Sequence, residues 1–247
     1  MKELEGADVV INLAGESIAA RRWNPAQKRR IRESRLHATG ALVEAISRCQ
    51  APPKVLISGS AVGYYGPCGD ETVTEQFSPG RDFLSEVCRQ WEDEALRAEG
   101  YGVRVVLLRT GLVLGRHGGA LPRMLLPFRL FLGGPLGSGR QWVSWIHIED
   151  VVGLIRYLME HPHASGPFNV TAPEPRRNRE FCCIVARVLH RPCWFPAPAP
   201  ALRLVLGEMA DALLLSGQKA IPQRALDLGY NFRYVDLARA LEDLLGS

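Results

Sequence analysis

Ser60, Tyr64 and Tyr65 fall within one stretch, Lys54–Gly66 (KVLISGSAVGYYG), directly after an apolar run. A hydroxyl there can donate to or accept from a reacting oxygen, and a phenol can move a proton when its surroundings lower its pKa. Cys88 adds a thiol, reactive only as thiolate. Arg109 ends a second apolar run, Val103–Leu108, and is followed by Thr110 and Gly111. His147 lies in WVSWIHIEDV. Each residue also has a plain reading. Ser60 can be the polar turn after a buried strand, the tyrosines and Cys88 packing, and His147 a satisfied core histidine.

The elements that must hold these groups follow from patterning. Val55–Ile57, preceded by Pro52-Pro53, is a short apolar run with β-branched ends, the mark of a strand buried on both faces. Asp8–Ala14 (DVVINLA) and Val103–Leu108 (VRVVLL) read the same way. Asn24-Pro25 is an N-cap followed by a first-turn proline, opening a helix through Ile46. Asp82–Glu99 is a second helix, ended by Gly100 and Gly102. Strands alternating with helices predict a parallel sheet covered on both faces, with ligands collecting beyond the carboxyl ends of its strands. Ser60 would sit at that mouth. Farther on, the spacing predicts helices over Leu121–Phe131, Asp150–Glu160, Asn178–Leu189, Leu202–Leu215 and Val235–Leu245. A short strand at Phe168–Val170 and a proline-rich link, Pro192–Pro200, lie between them.

Composition narrows the class. The chain has 247 residues, 47% hydrophobic and 23% charged, with net charge +4, which suits one soluble α/β unit with an appendage. Arg21–Arg35 holds seven basic residues against Glu33, yet the total excess is small for a nucleic-acid binder, and the run reads as a solvated helix face. The six cysteines form no C-x-x-C pair, so neither a metal site nor a disulfide framework is expected, and a cytoplasmic location is. No apolar run reaches membrane-spanning length, and the opening MKELEGADVV lacks the basic-then-apolar layout of a secretion signal, so none is expected.

Taken in order, DVVINLAGE, SGSAVGYYG, LLRTGLVLG, WIHIEDV and FNVTAPEP resemble the landmarks of the extended short-chain dehydrogenases/reductases, the NAD(P)-dependent epimerases and dehydratases. NLAGESI, LLPFRLFLGGPLGSG and LGEMADALLLSGQKAIPQRALDLGY are similar to an atypical branch with a DUF1731-type C-terminal region. The resemblance implies an α/β fold: an NAD(P)-binding Rossmann-like parallel sheet, N-terminally truncated, over residues 1–165, with a small mixed C-terminal substrate-side region over 166–247, DUF1731-like from about 195.

It also implies roles. Ser60 would hold the reacting oxygen. Asn12, Leu13, Ala14, Gly15 and Glu16, with Arg35, Ser58, Gly59, Arg109, Thr110, Gly111 and Val113, would border the cofactor, NADP or NAD with NADP favoured. Tyr65, Arg129, Arg140, Trp145 and His147, with Asp150 nearby, would border the substrate, a small molecule; Arg129 and Arg140 also read as plain surface charges. The function implied is an NAD(P)-dependent oxidoreductase or epimerase acting on a carbonyl or nucleotide-sugar-like compound. A non-catalytic NADP-binding regulatory protein is the alternative.

Two departures bear on this. The Tyr-x-x-x-Lys of ordinary members falls at Leu84 and Cys88, which leaves the proton donor open: Tyr64, Tyr65 or Cys88 could substitute, and each also reads as plain packing. No G-x-x-G-x-x-G turn precedes Asp8–Ala14. Losing three amide-to-phosphate bonds at ~1.5 kcal/mol each weakens cofactor binding by ~4.5 kcal/mol, about a thousandfold or more. The strand Asp8–Ala14 is then expected at an open sheet edge, available for a homodimer or other edge-strand association.

Overall fold

The computed structural model describes residues 4–246. In chain order the strands are β1 (Val9–Asn12), β2 (Val55–Ala61), β3 (Thr72–Val73), β4 (Arg104–Thr110), β5 (Leu112–Leu114), β6 (Trp142–Val143), β7 (Trp145–His147), β8 (Gly166–Val170), β9 (Arg176–Arg177) and β10 (Lys219–Ala220). The helices are α1 (Pro25–Ser47), α2 (Phe83–Leu96), α3 (Leu121–Arg129), α4 (Ile148–Glu160), α5 (Asn178–Val188), α6 (Ala199–Leu206), α7 (Glu208–Ala210), α8 (Gln223–Asp227) and α9 (Leu237–Leu245).

The longer apolar runs pair into one parallel sheet in the order β1-β2-β4-β8. Their alternation sorts side chains between two faces. Leu56, Val105 and Leu107 meet Val43 and Ile46 of α1 and Ala95 of α2, while Val55, Ile57, Val106 and Leu108 meet Leu154, Ile155 and Leu158 of α4. A separate core gathers Trp145, Leu121, Leu125, Phe128, Phe181, Leu237 and Leu241 from α3, α5, α9 and β7. Parallel pairing of β1 with β2 and the place of β1 at the edge are as expected. Among the described residues β1 is bonded to β2 alone, and Ile11 remains 45% exposed.

The strand is shorter than the apolar run. It stops at Asn12, whose side-chain oxygen accepts from the Ala14 amide (3.2 Å) and turns the chain out of the sheet. Asn24 caps α1 by accepting from Gln27 N at 2.8 Å. Asn24→Ala is expected to cost about 1 kcal/mol, read as a lower urea midpoint with unchanged slope. The helix expected over Leu202–Leu215 is instead three pieces, because Gly207 takes φ +64° and ends α6 before α7 and a π turn, Asp211–Leu215. Among the described residues no helix is long and apolar enough to cross a membrane.

Candidate active site

Register sets the site. Ser60 on β2 lies opposite Arg109 on β4, and Arg109 lies opposite Asn169 on β8. In-register neighbours on parallel strands point to the same face, and here both Ser60 and Arg109 reach one carboxylate. Ser60 Oγ donates to Glu92 Oε1 at 2.6 Å, and Arg109 donates Nε to Oε1 and Nη2 to Oε2, each at 2.8 Å. The pair is a two-pronged ion pair, 4% exposed on either side. Glu92 is the residue that motif reasoning missed. A signal existed: Cys88, Trp91, Glu92 and Ala95 share the buried stripe of α2, so a carboxylate there needs a buried cation.

Arg109 has four of its five N–H groups engaged. Its Nη1 donates to the Tyr65 hydroxyl and to Glu75 O, both at 3.1 Å, and its guanidinium lies 3.4 Å from the centre of the Tyr64 ring. Burial alone would lower its pKa, but the Glu92 carboxylate outweighs that and holds it above the ordinary arginine value. Arg109 therefore fixes the floor of the site and has no donor left to offer a cofactor through Nε, Nη1 or the Glu92-bound Nη2 edge.

Tyr65, expected to border the substrate, is buried and fully engaged. Its hydroxyl donates to Asn169 Oδ1 at 2.6 Å while accepting from Arg109. Burial pushes its pKa up. A phenol raised above its unfolded value near 10 supports folding fully below that pH, and the support is lost as pH rises past it. The urea midpoint is therefore expected to fall above about pH 10, and Tyr65→Phe to flatten that part of the profile.

Cys88 is a weak candidate for proton transfer: burial, with the Glu92 charge second, pushes its thiol up to about 12. It lies one turn after Leu84, and both side chains face Gly63. Tyr64 is half-buried, and its hydroxyl makes no hydrogen bond among the described residues. Of the three, it is the phenol left free.

The cofactor-side residues divide by contact. Leu13 is 60% exposed, and Ala14 and Gly15 are exposed too, forming an apolar shelf beyond the carboxyl end of β1. Arg35 lies against Gly15, donates Nη1 to Glu16 O (3.0 Å) and Ile31 O (2.9 Å), and covers the Trp91 ring at 5.1 Å. Trp91 and Asn12 both donate to Thr39 Oγ1 at 2.9 Å, locking this wall. A Cβ at Gly59 would meet Trp91 Cη2 at 2.8 Å, so glycine alone lets the indole close on β2. Glu16 is tied by its amide to Ser34 Oγ at 2.9 Å. Ser58 is fully buried, Thr110 turns its hydroxyl to Leu108 O at 3.2 Å, and Val113 of β5, paired with Ile146 of β7, is half-buried against the α4-side core. Gly111 lies where any Cβ would strike Ser144 O or Thr171.

Two residues expected on the substrate side, Trp145 and His147, are buried. Trp145 is fully buried in the C-terminal core, with Nε1 donating to Glu174 O at 3.0 Å. His147 is 1% exposed; its Nδ1 accepts from Glu149 N at 3.1 Å, capping α4, and its ring stacks on Tyr234 at 3.8 Å. Burial lowers its pKa against the pull of Asp243. Both hold the C-terminal region in place, as does Asp150, which accepts from Arg233 N (2.8 Å) and Tyr234 N (2.9 Å). Arg129 and Arg140 are exposed, with no ion pair among the described residues. Glu75, unremarked in the sequence, is buried and accepts from Asn169 N at 2.9 Å and Arg224 N at 3.3 Å, tying the site floor to α8. Among the described residues no cluster of His, Cys, Asp and Glu could hold a metal.

The model of the NAD dependent epimerase/dehydratase family matches residues 1–171, and that of DUF1731, a domain of unknown function, matches 197–244. The chain belongs to the NAD-dependent epimerase/dehydratase family. The chloroplastic epimerase family protein SDR39U1 homolog of Arabidopsis thaliana is 46% identical over 98% of this chain and 70% of its own length. Epimerase family protein YfhF of Bacillus subtilis is 45% identical over 99% of this chain and 80% of its own. The structure of human epimerase family protein SDR39U1 (isoform 2) with NADPH superposes with a TM-score of 0.93 at 39% identity, covering 98% of this chain and 82% of that one. The α/β fold and parallel sheet of this family are those observed.

Proposed function

We propose that the chain binds NADP(H) along the Leu13–Gly15 shelf and holds a ligand hydroxyl at Ser60, as an oxidoreductase or epimerase. The observation that carries this reading is the pairing of Ser60 with Glu92 at the carboxyl end of β2, beside an exposed apolar shelf at the end of β1. The structure of the human relative with NADPH supports the choice of cofactor. When bound, the nicotinamide supplies hydride transfer. The chain's own residues orient the ligand. Ser60 gives its proton to Glu92, so its lone pairs face the ligand and favour a hydroxyl donor over a carbonyl. Tyr64, whose hydroxyl is free, is the phenol placed to receive or return a proton.

Turnover tests this. NADP+ with a panel of alcohols and nucleotide sugars, followed at 340 nm, should give a rate that Ser60→Ala abolishes. A second reading, a non-catalytic NADP-binding regulatory protein, draws support from Leu84 and Cys88 on α2 and the saturated Tyr65. NADPH binding without turnover across the panel would select it.

A further inference from the structure

Cys183 and Cys193 come together for a reason visible in the backbone. At the end of α5 the chain doubles back: His190 N donates to Arg187 O at 3.0 Å and Arg191 N to Ala186 O at 2.8 Å. The return lays Cys193 along α5, with its Sγ 3.6 Å from that of Cys183. Cys183 is exposed and Cys193 half-buried against the C-terminal core. Past Cys193 the chain straps across the glycine-rich loop. Phe195 N donates to Gly133 O (3.2 Å), Ala197 N to Pro135 O (2.9 Å), and Gly137 N to Ala197 O (2.8 Å).

We propose that Cys183 and Cys193 form a thiol-oxidation site that takes low-molecular-weight disulfides and closes into an intrachain disulfide, fastening the Cys193–Ala197 strap to α5. The Cys183 thiolate attacks one sulfur of the small disulfide, whose S–S bond breaks and releases one thiolate. The Cys193 thiolate then attacks Cys183 Sγ in the mixed disulfide, forming the Cys183–Cys193 bond and expelling the second small thiolate. The two protons lost by the cysteines are taken up by the two small thiolates, and the protein is oxidised by two electrons. Exposure makes Cys183 the first to meet the reagent. Burial, with Cys183 next in effect, pushes the Cys193 thiol up to about 11, so it keeps its proton longer and acts second. Cys182, its sequence neighbour, is buried and pushed up to about 12, and takes no part.

Oxidised glutathione is the probe, and peptide mapping without reduction is the readout. The native chain is expected to yield a Cys183–Cys193 cross-linked peptide with Cys88 and Cys182 unmodified. Cys193→Ser, checked by circular dichroism for folding, should stop at a stable glutathione adduct on Cys183. In the urea-unfolded chain the cross-links should scatter among the six cysteines. A wild-type protein that keeps a lasting adduct on Cys183, that reacts at neither residue, or that shows the same scattered pairing when folded would overturn the proposal.

Discussion

Replacing Glu92 by alanine is expected to destabilise the fold by about 3–5 kcal/mol, because it leaves Arg109 charged, buried and unpaired. For a chain of this length that lowers the melting temperature by about 10 °C. Ser60 loses its acceptor in the same step. Arg109→Met alone strands the carboxylate instead, and the double variant Glu92→Leu/Arg109→Met should recover much of the loss, since an apolar pair carries no unpaired charge. A double-mutant cycle by urea unfolding, with Glu92→Leu and Arg109→Met as its single variants, is then expected to show coupling of more than about 3 kcal/mol, at or above the top of the range for residues in contact. Single variants that each lose under about 1 kcal/mol would mean that water already reaches this pair.

Trp145→Ala is expected to cost about 3–5 kcal/mol, the range for emptying a fully buried aromatic site. Its indole touches the core shared by α3, α5 and α9, and its ring nitrogen satisfies Glu174 O. Trp145→Phe should lose less and leave the KM of any compound turned over unchanged, which separates a packing role from the substrate-side role that the motif implied. Urea midpoints and substrate KM on both variants decide between them.

The sheet was legible in the sequence because its central strands, β2 and β4, are short apolar runs buried on both faces, and such runs leave few other fates. The caps at Asn24 and Asp82 were legible because an N-cap is a local device: each side chain accepts from an amide three residues on. The location of Ser60 and Arg109 at neighbouring strand ends followed from the same reasoning. What they do there did not. Both are claimed by Glu92, and that claim depends on the rotation of α2 against β4, which no motif spells out. Tyr65 and Glu75 escaped for a similar reason, since their partners Asn169 and Arg224 lie 104 and 149 residues away. His147 shows the opposite case: its burial was available from its apolar surroundings, whereas its capping of α4 and its stacking on Tyr234 depend on contacts that no motif spells out.

NADPH titration of the whole chain, followed by quenching of tryptophan fluorescence, tests the central claim most directly. The cofactor shelf predicts saturable quenching, and predicts that Leu13→Asp, a change at an exposed position that leaves the core intact, weakens it at least about tenfold, or about 1.4 kcal/mol. No saturation up to about 5 mM, or one curve shared by the wild type and Leu13→Asp, would contradict the placement of a cofactor at the carboxyl ends of these strands.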